Sequence, residues 1–124
     1  MDIAAWIVQV LLALAFGMAG FMKATQPREK LAANMKWVED FSPNIVKVIG
    51  GLEVLAAIGL ILPALTKILP VLTPLAAVGL VLTMIGASLT HLRRKEYPVI
   101  VANLVLMALA VFVAYVRFSV APIV

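Results

Sequence analysis

The stretch VIGGLEVLAAIGLIL, residues 48–62, decides the fold. It has the character of a membrane span, yet it carries one charged side chain, Glu53. A carboxylate at that depth in hydrocarbon costs about 2.5–3.5 kcal/mol, so it turns toward protein or water and takes a partner. The run therefore reads as part of a transmembrane helix, and the rest of the chain is read for what faces that carboxylate.

The surrounding sequence supplies more spans of the same kind. The chain has 124 residues, 65% of them hydrophobic, with a mean hydropathy of +1.14, too apolar for a water-soluble domain. Apolar stretches cover about residues 3–22, 46–65, 70–90 and 98–118, each near the roughly 20 residues an α-helix needs to cross a bilayer. Backbone groups in lipid must bond within their own segment, so the expected fold is all-α, an integral membrane four-transmembrane-helix bundle in one domain, 1–124. Cysteine is absent, which excludes thiol–disulfide chemistry and thiolate metal sites. The head Met1-Asp2-Ile3 has an acid where a cleaved signal carries lysine or arginine, so the first span is expected to be a mature helix.

Charge is distributed unevenly about these spans. The first and third loops share one side of the membrane, with Lys23, Arg28, Lys30, Lys36, Lys47, Arg93, Arg94 and Lys95. The opposite side has Lys67 and Arg117. The positive-inside rule predicts cytoplasmic first and third loops and both termini outside. Basic residues that flank spans suit anionic lipid headgroups rather than nucleic acid. Between the first two spans, Leu31, Met35 and Val38 recur at helical spacing among Arg28, Lys30, Lys36, Glu39 and Asp40. Residues 28–41 thus read as a short amphipathic interfacial helix, with Trp37 at headgroup level. Ser42-Pro43 is a helix start, Pro63 falls near the outer end of the second span, and Tyr97-Pro98 opens the fourth.

Four polar residues fall at related depths. Lys23 ends the first span and His91 the third, both on the cytoplasmic side. Glu53 lies six residues beyond Lys47, about 9 Å along a helix, and Asn103 five beyond Pro98, about 8 Å. Each span delivers one polar residue to the cytoplasmic half. Ala19 and Gly20, Gly50 and Ala57, and Ala87 and Ser88 lie about one turn from the first three, so those faces are expected to point into the bundle. A Lys23–Glu53 ion pair is expected, with His91 or Asn103 on the second carboxylate oxygen. Blander readings stand beside this one: Lys23 snorkelling, His91 as an interfacial residue, Asn103 as inter-helix glue. Gln9, Thr73 and Thr83 read as packing or helix hydrogen bonds. One histidine and no cysteine supply neither two haem ligands nor a closed zinc site, and no phosphate-binding glycine loop or serine triad is present.

At these residues the chain resembles the DoxX/DoxX-like family of small four-span membrane proteins. The matching pieces are Ala19-Gly20-Phe21-Met22-Lys23, then Gly51-Leu52-Glu53 leading to Gly59-Leu60-Ile61-Leu62-Pro63, then Gly86-Ala87 with His91, and Asn103. The resemblance implies a four-helix bundle in the bacterial cytoplasmic membrane, with Lys23, Glu53, His91 and Asn103 as its polar cluster. Some relatives are named as membrane subunits of thiosulfate:quinone oxidoreductase; others assist assembly of membrane proteins. Three readings follow. The first is a pocket for a quinone-like ligand, in a chain that is no enzyme on its own and shows no cofactor. The second is a non-catalytic assembly factor or accessory subunit, docking another membrane protein or a second copy. The third is a proton-coupled small transporter.

Overall fold

The first helix, α1 (Asp2–Thr25), has an acid in its first turn and Lys23 in its last, the arrangement that complements a helix dipole. The structure, a computed structural model, describes residues 2–32, 37–38, 41–120 and 122 (backbone only at 28 and 120). A one-and-a-half-turn helix, α2 (Arg28–Ala32), follows α1. The second long helix, α3 (Pro43–Thr66), starts where the Ser42 Oγ accepts from the Ile45 N–H at 3.3 Å with proline in its first turn. It stops at Lys67, whose φ of 60° is left-handed. Then come α4 (Leu72–Arg93) and α5 (Tyr97–Tyr115), which passes directly into a π-helical turn (Val116–Val120). Among the described residues the chain is helical, without strands, and four helices are long and apolar enough to cross a membrane: Asp2–Thr25, Pro43–Thr66, Leu72–Arg93 and Tyr97–Ser119.

The helices pair antiparallel, α1 with α3 and α4 with α5, and the looser contacts α3–α4 and α1–α5 close the ring. Leu12, Phe16, Leu60, Ala77, Leu80, Met84, Ala110 and Val113 meet at its centre. Outward faces carry residues such as Ile3, Phe21 and Leu55, exposed as lipid-facing side chains are. The amphipathic stripe expected over 28–41 is partly described. The helix covers Arg28–Ala32, and Met35 lies outside the described residues. Leu31 and Val38 are buried against Val46, with Met22, Trp37 and Phe41 around them. Leu31 and Val38 thus face the bundle at the end of the α1/α3 pair where α1 stops and α3 starts.

Two devices fix the helix spacing. Pro63 lacks an N–H, which leaves the Gly59 carbonyl one turn back without its helical donor. The Thr73 hydroxyl of α4 donates to that carbonyl at 2.9 Å. A Cβ at Gly59 would sit 3.0 Å from the Ala76 Cβ, so α3 and α4 are close in the halves next to the loop that joins them. Toward the end of α1 and the start of α3 the tightest crossing is between those two helices. A Cβ on Gly20 would lie 2.6 Å from the Gly50 carbonyl oxygen, and one on Gly50 would lie 2.5 Å from the Gly20 oxygen. Backbone meets backbone there, and only glycine permits it.

Gly20→Ala or Gly50→Ala is expected to force α1 from α3 and cost about 1–3 kcal/mol, as overpacking does. Gly51→Ala and Gly79→Ala, where an added Cβ meets nothing within 4 Å, should stay within about 0.5 kcal/mol of the parent. Denaturant unfolding in detergent micelles checks the contrast, and four similar losses would refute the assignment.

Candidate functional site

The glycine crossing sets the site. On either side of it, a Cβ at Gly20 would come within 2.9 Å of the Glu53 Cβ, and one at Gly50 within 2.7 Å of the Lys23 Cβ. The two charged side chains are therefore neighbours as soon as α1 and α3 touch. The Lys23 Nζ donates to the Glu53 Oε1 at 2.6 Å, with the carboxylate 2% exposed. The Lys23 ammonium also lies 5.2 Å from the centroid of the Trp37 ring, a cation–π distance. Both partners thus keep a compensating neighbour after leaving water.

All four polar residues singled out in the sequence line one open pocket of about 600 Å³ in the half of the bundle where α1 ends and α3 begins. Lys23 comes from α1, Glu53 from α3, His91 from α4 and Asn103 from α5. The second carboxylate oxygen does not take the partner expected for it. Glu53 Oε2 is buried without a hydrogen-bond partner among the described residues, and so is Asn103 Nδ2. His91 is turned to another acid: its Nδ1–H donates to the Glu96 Oε1 at 2.9 Å. Its ring stands edge-on to Trp37, centroids 6.4 Å apart. The physical reason is the hairpin between α4 and α5. Lys95 adopts φ 59°, which reverses the chain within a few residues and returns Glu96 to His91. Arg94 lies 3.4 Å from the same oxygen.

Glu96 is a functional neighbour that hydropathy and spacing alone do not single out, although a carboxylate five residues after His91, across so short a loop, is a usable signal. Arg117, by sequence a charge flanking the fourth span, is the second such residue. The π turn carries Arg117 inward until it is 3% exposed. Its Nε donates to the Gln9 Oε1 at 2.7 Å and its Nη1 to the Asp2 Oδ1 at 2.6 Å. Its guanidinium lies 5.7 Å from the Trp6 ring. The Gln9 Nε2 in turn donates to the Leu60 carbonyl at 2.7 Å, so Gln9 bridges helices. Thr83 keeps the local role expected of it, donating to Gly79 one turn back.

The two polar clusters differ in one respect that matters for function. Around Arg117 the polar atoms of Gln9 are paired, which is what a structural network requires. Around Glu53 an acceptor and a donor are buried and unpaired beside a cavity. An orphaned polar atom costs about 1–3 kcal/mol, and these two are the ones of their kind that lie on the pocket wall among the described residues. The described residues contain no group of three histidine, cysteine or acidic side chains placed to hold a metal ion.

The DoxX-like family matches this chain over residues 7–113, a range that contains all four pocket residues. No curated protein matches the chain, and no solved structure does.

Lys23→Met leaves the Glu53 carboxylate buried without its counter-charge and is expected to cost about 3–5 kcal/mol. Adding Glu53→Gln to it should recover most of that loss, because the stranded charge is removed. A double-mutant cycle by unfolding in micelles reads the coupling, and simple additivity of the two losses would refute it.

Proposed function

The chain belongs to the DoxX-like family, a multi-pass membrane protein by its helices, and from that premise we propose that it binds a quinone-type headgroup in the pocket beside Glu53. The observation that carries the reading is the pair of unpartnered buried atoms, Glu53 Oε2 and Asn103 Nδ2, on the wall of one apolar pocket. A ring with oxygen substituents uses both: one oxygen accepts from the Asn103 amide, and a hydroxyl donates to the Glu53 carboxylate. Trp37 and Phe41, also on the wall, offer aromatic surface to a flat ring. Lys23 orients the carboxylate through its salt bridge, and His91, held by Glu96, stands at the cytoplasmic rim as a proton carrier.

A bound quinone would supply two-electron redox chemistry, while the protein's own side chains bind, orient and exchange protons. The chain then serves as the membrane subunit of an oxidoreductase whose electron carriers reside on a partner protein. In the bacterial cytoplasmic membrane, the basic loops face inward against anionic lipid, the pocket mouth lies on the cytoplasmic side, and both termini lie outside.

Trp6 and Trp37 are the two tryptophans of the chain, so Trp6→Phe leaves Trp37 as a reporter inside the pocket. A soluble benzoquinone is expected to quench Trp37 emission saturably, and Asn103→Leu to weaken that binding by about tenfold, the loss of one hydrogen bond in a buried site, while Glu53→Gln should weaken by about tenfold the power of the matching hydroquinone to displace the quencher. Quenching indifferent to Asn103→Leu together with displacement indifferent to Glu53→Gln would refute the reading. The absence of cysteine makes topology equally direct. Lys67→Cys should react with an impermeant maleimide in intact cells and Lys95→Cys only after lysis; the reverse pattern inverts the orientation.

A further inference from the structure

The pocket's shape carries the reading further, to which molecule enters and by what route. In their outer halves α3 and α4 are held together by the Thr73–Gly59 hydrogen bond and the Gly59–Ala76 contact. In the cytoplasmic half the cavity intervenes between them, with Leu52 of α3 on one side and Leu82 and Gly86 of α4 on the other. Leu52 is 59% exposed and Leu82 64%, both within spans, so their outer surfaces meet acyl chains rather than water. A Cβ added at Gly86 would meet nothing within 4 Å, so the gap there is free of protein. From His91 down to Leu82 the pocket wall follows α4 for nine residues, about 13 Å into the bilayer. The polar end of this cleft is at Glu53 and Asn103, and its apolar end opens sideways into lipid.

The unpaired atoms also specify the head. With Glu53 Oε1 held by the Lys23 ammonium, Oε2 is an acceptor that needs a hydroxyl donor. The carbonyls of an oxidised quinone satisfy Asn103 Nδ2 and leave Oε2 orphaned; the hydroxyls of the reduced form satisfy both. We propose that the cleft takes an isoprenoid hydroquinone, the reduced form, directly from the bilayer through the gap between α3 and α4, its head at Glu53 and Asn103 and its tail passing Leu52, Leu82 and Gly86. The proposal rests on the quinone-type reading above and adds the redox form, the tail and the route.

The test measures binding of three radiolabelled ligands to the full chain in detergent under anaerobic conditions: a short-tailed hydroquinone, the matching quinone, and a hydroquinone with no tail. The parent protein is expected to bind the tailed hydroquinone about tenfold more tightly than the tailed quinone, the difference of one charge-assisted hydrogen bond. Gly86→Leu is expected to fill the gap and weaken the tailed hydroquinone by about tenfold or more, while its affinity for the tail-less one stays at the parental value. Retained binding of the tail-less ligand certifies that Gly86→Leu is folded, and Gly86→Ala serves as a milder second variant if Gly86→Leu loses all binding. Equal affinity for reduced and oxidised heads overturns the choice of redox form. Undiminished binding of the tailed ligand by Gly86→Leu overturns the route, and in both cases the headgroup reading survives. If none of the three ligands binds the parent, the headgroup reading itself falls.

Discussion

Two glycine backbones in contact, Gly20 on α1 and Gly50 on α3, fix the geometry on which the pocket depends. A helix pair in lipid gains nothing from excluding water between apolar surfaces, so close packing and polar bonds must hold it. The glycine crossing provides the first and in doing so creates the second. It brings Lys23 and Glu53 side by side, where their charges compensate each other at a depth that would tolerate neither alone. Spread the helices by the width of a methyl group and that compensation weakens. The site is thus a property of a packing contact before it is a property of a carboxylate.

The polar inventory of the bundle divides by whether each group is satisfied. At the end away from the pocket Arg117, Gln9 and the Leu60 carbonyl form a continuous chain of hydrogen bonds, and Thr73 answers the carbonyl that Pro63 leaves bare. Nothing there asks for another molecule. At the pocket end the lysine and one carboxylate oxygen are matched, and the next two polar atoms on the wall are not. Membrane interiors are unforgiving of such orphans, so their coincidence with a cavity carries more weight than either observation alone.

Much of this was legible in the amino-acid order. Charge and hydropathy mark four spans, and one polar residue at a common depth in each points to a shared pocket, because a group such as Glu53 has so few tolerable surroundings. The small residues one turn away, Gly20 and Gly50 above all, already indicate which faces meet. What the sequence hid depends on backbone detail. Arg117 reads as an interfacial charge, and only a π turn, which has no composition signal of its own, turns it into the bundle. Glu96 reads as loop until a left-handed Lys95 folds it back onto His91. Thr73 looks like filler until the missing N–H of Pro63 is counted four residues back, at Gly59. In each case the partner is chosen by a local backbone geometry rather than by periodicity.

The bonds among the ends of the helices are unevenly placed. Asp2 and Gln9 of α1, Leu60 of α3 and Arg117 beyond α5 are fastened to one another at one rim, and Thr73 fastens α4 to α3 near the same level. At the opposite rim the pocket lies between the α1/α3 pair and the α4/α5 pair, and the edge-on contact of Trp37 with His91 reaches across it. Bracing is thus dense at one rim and sparse at the other, while the Lys23–Glu53 salt bridge lies wholly within the α1/α3 pair and draws nothing from the braced rim.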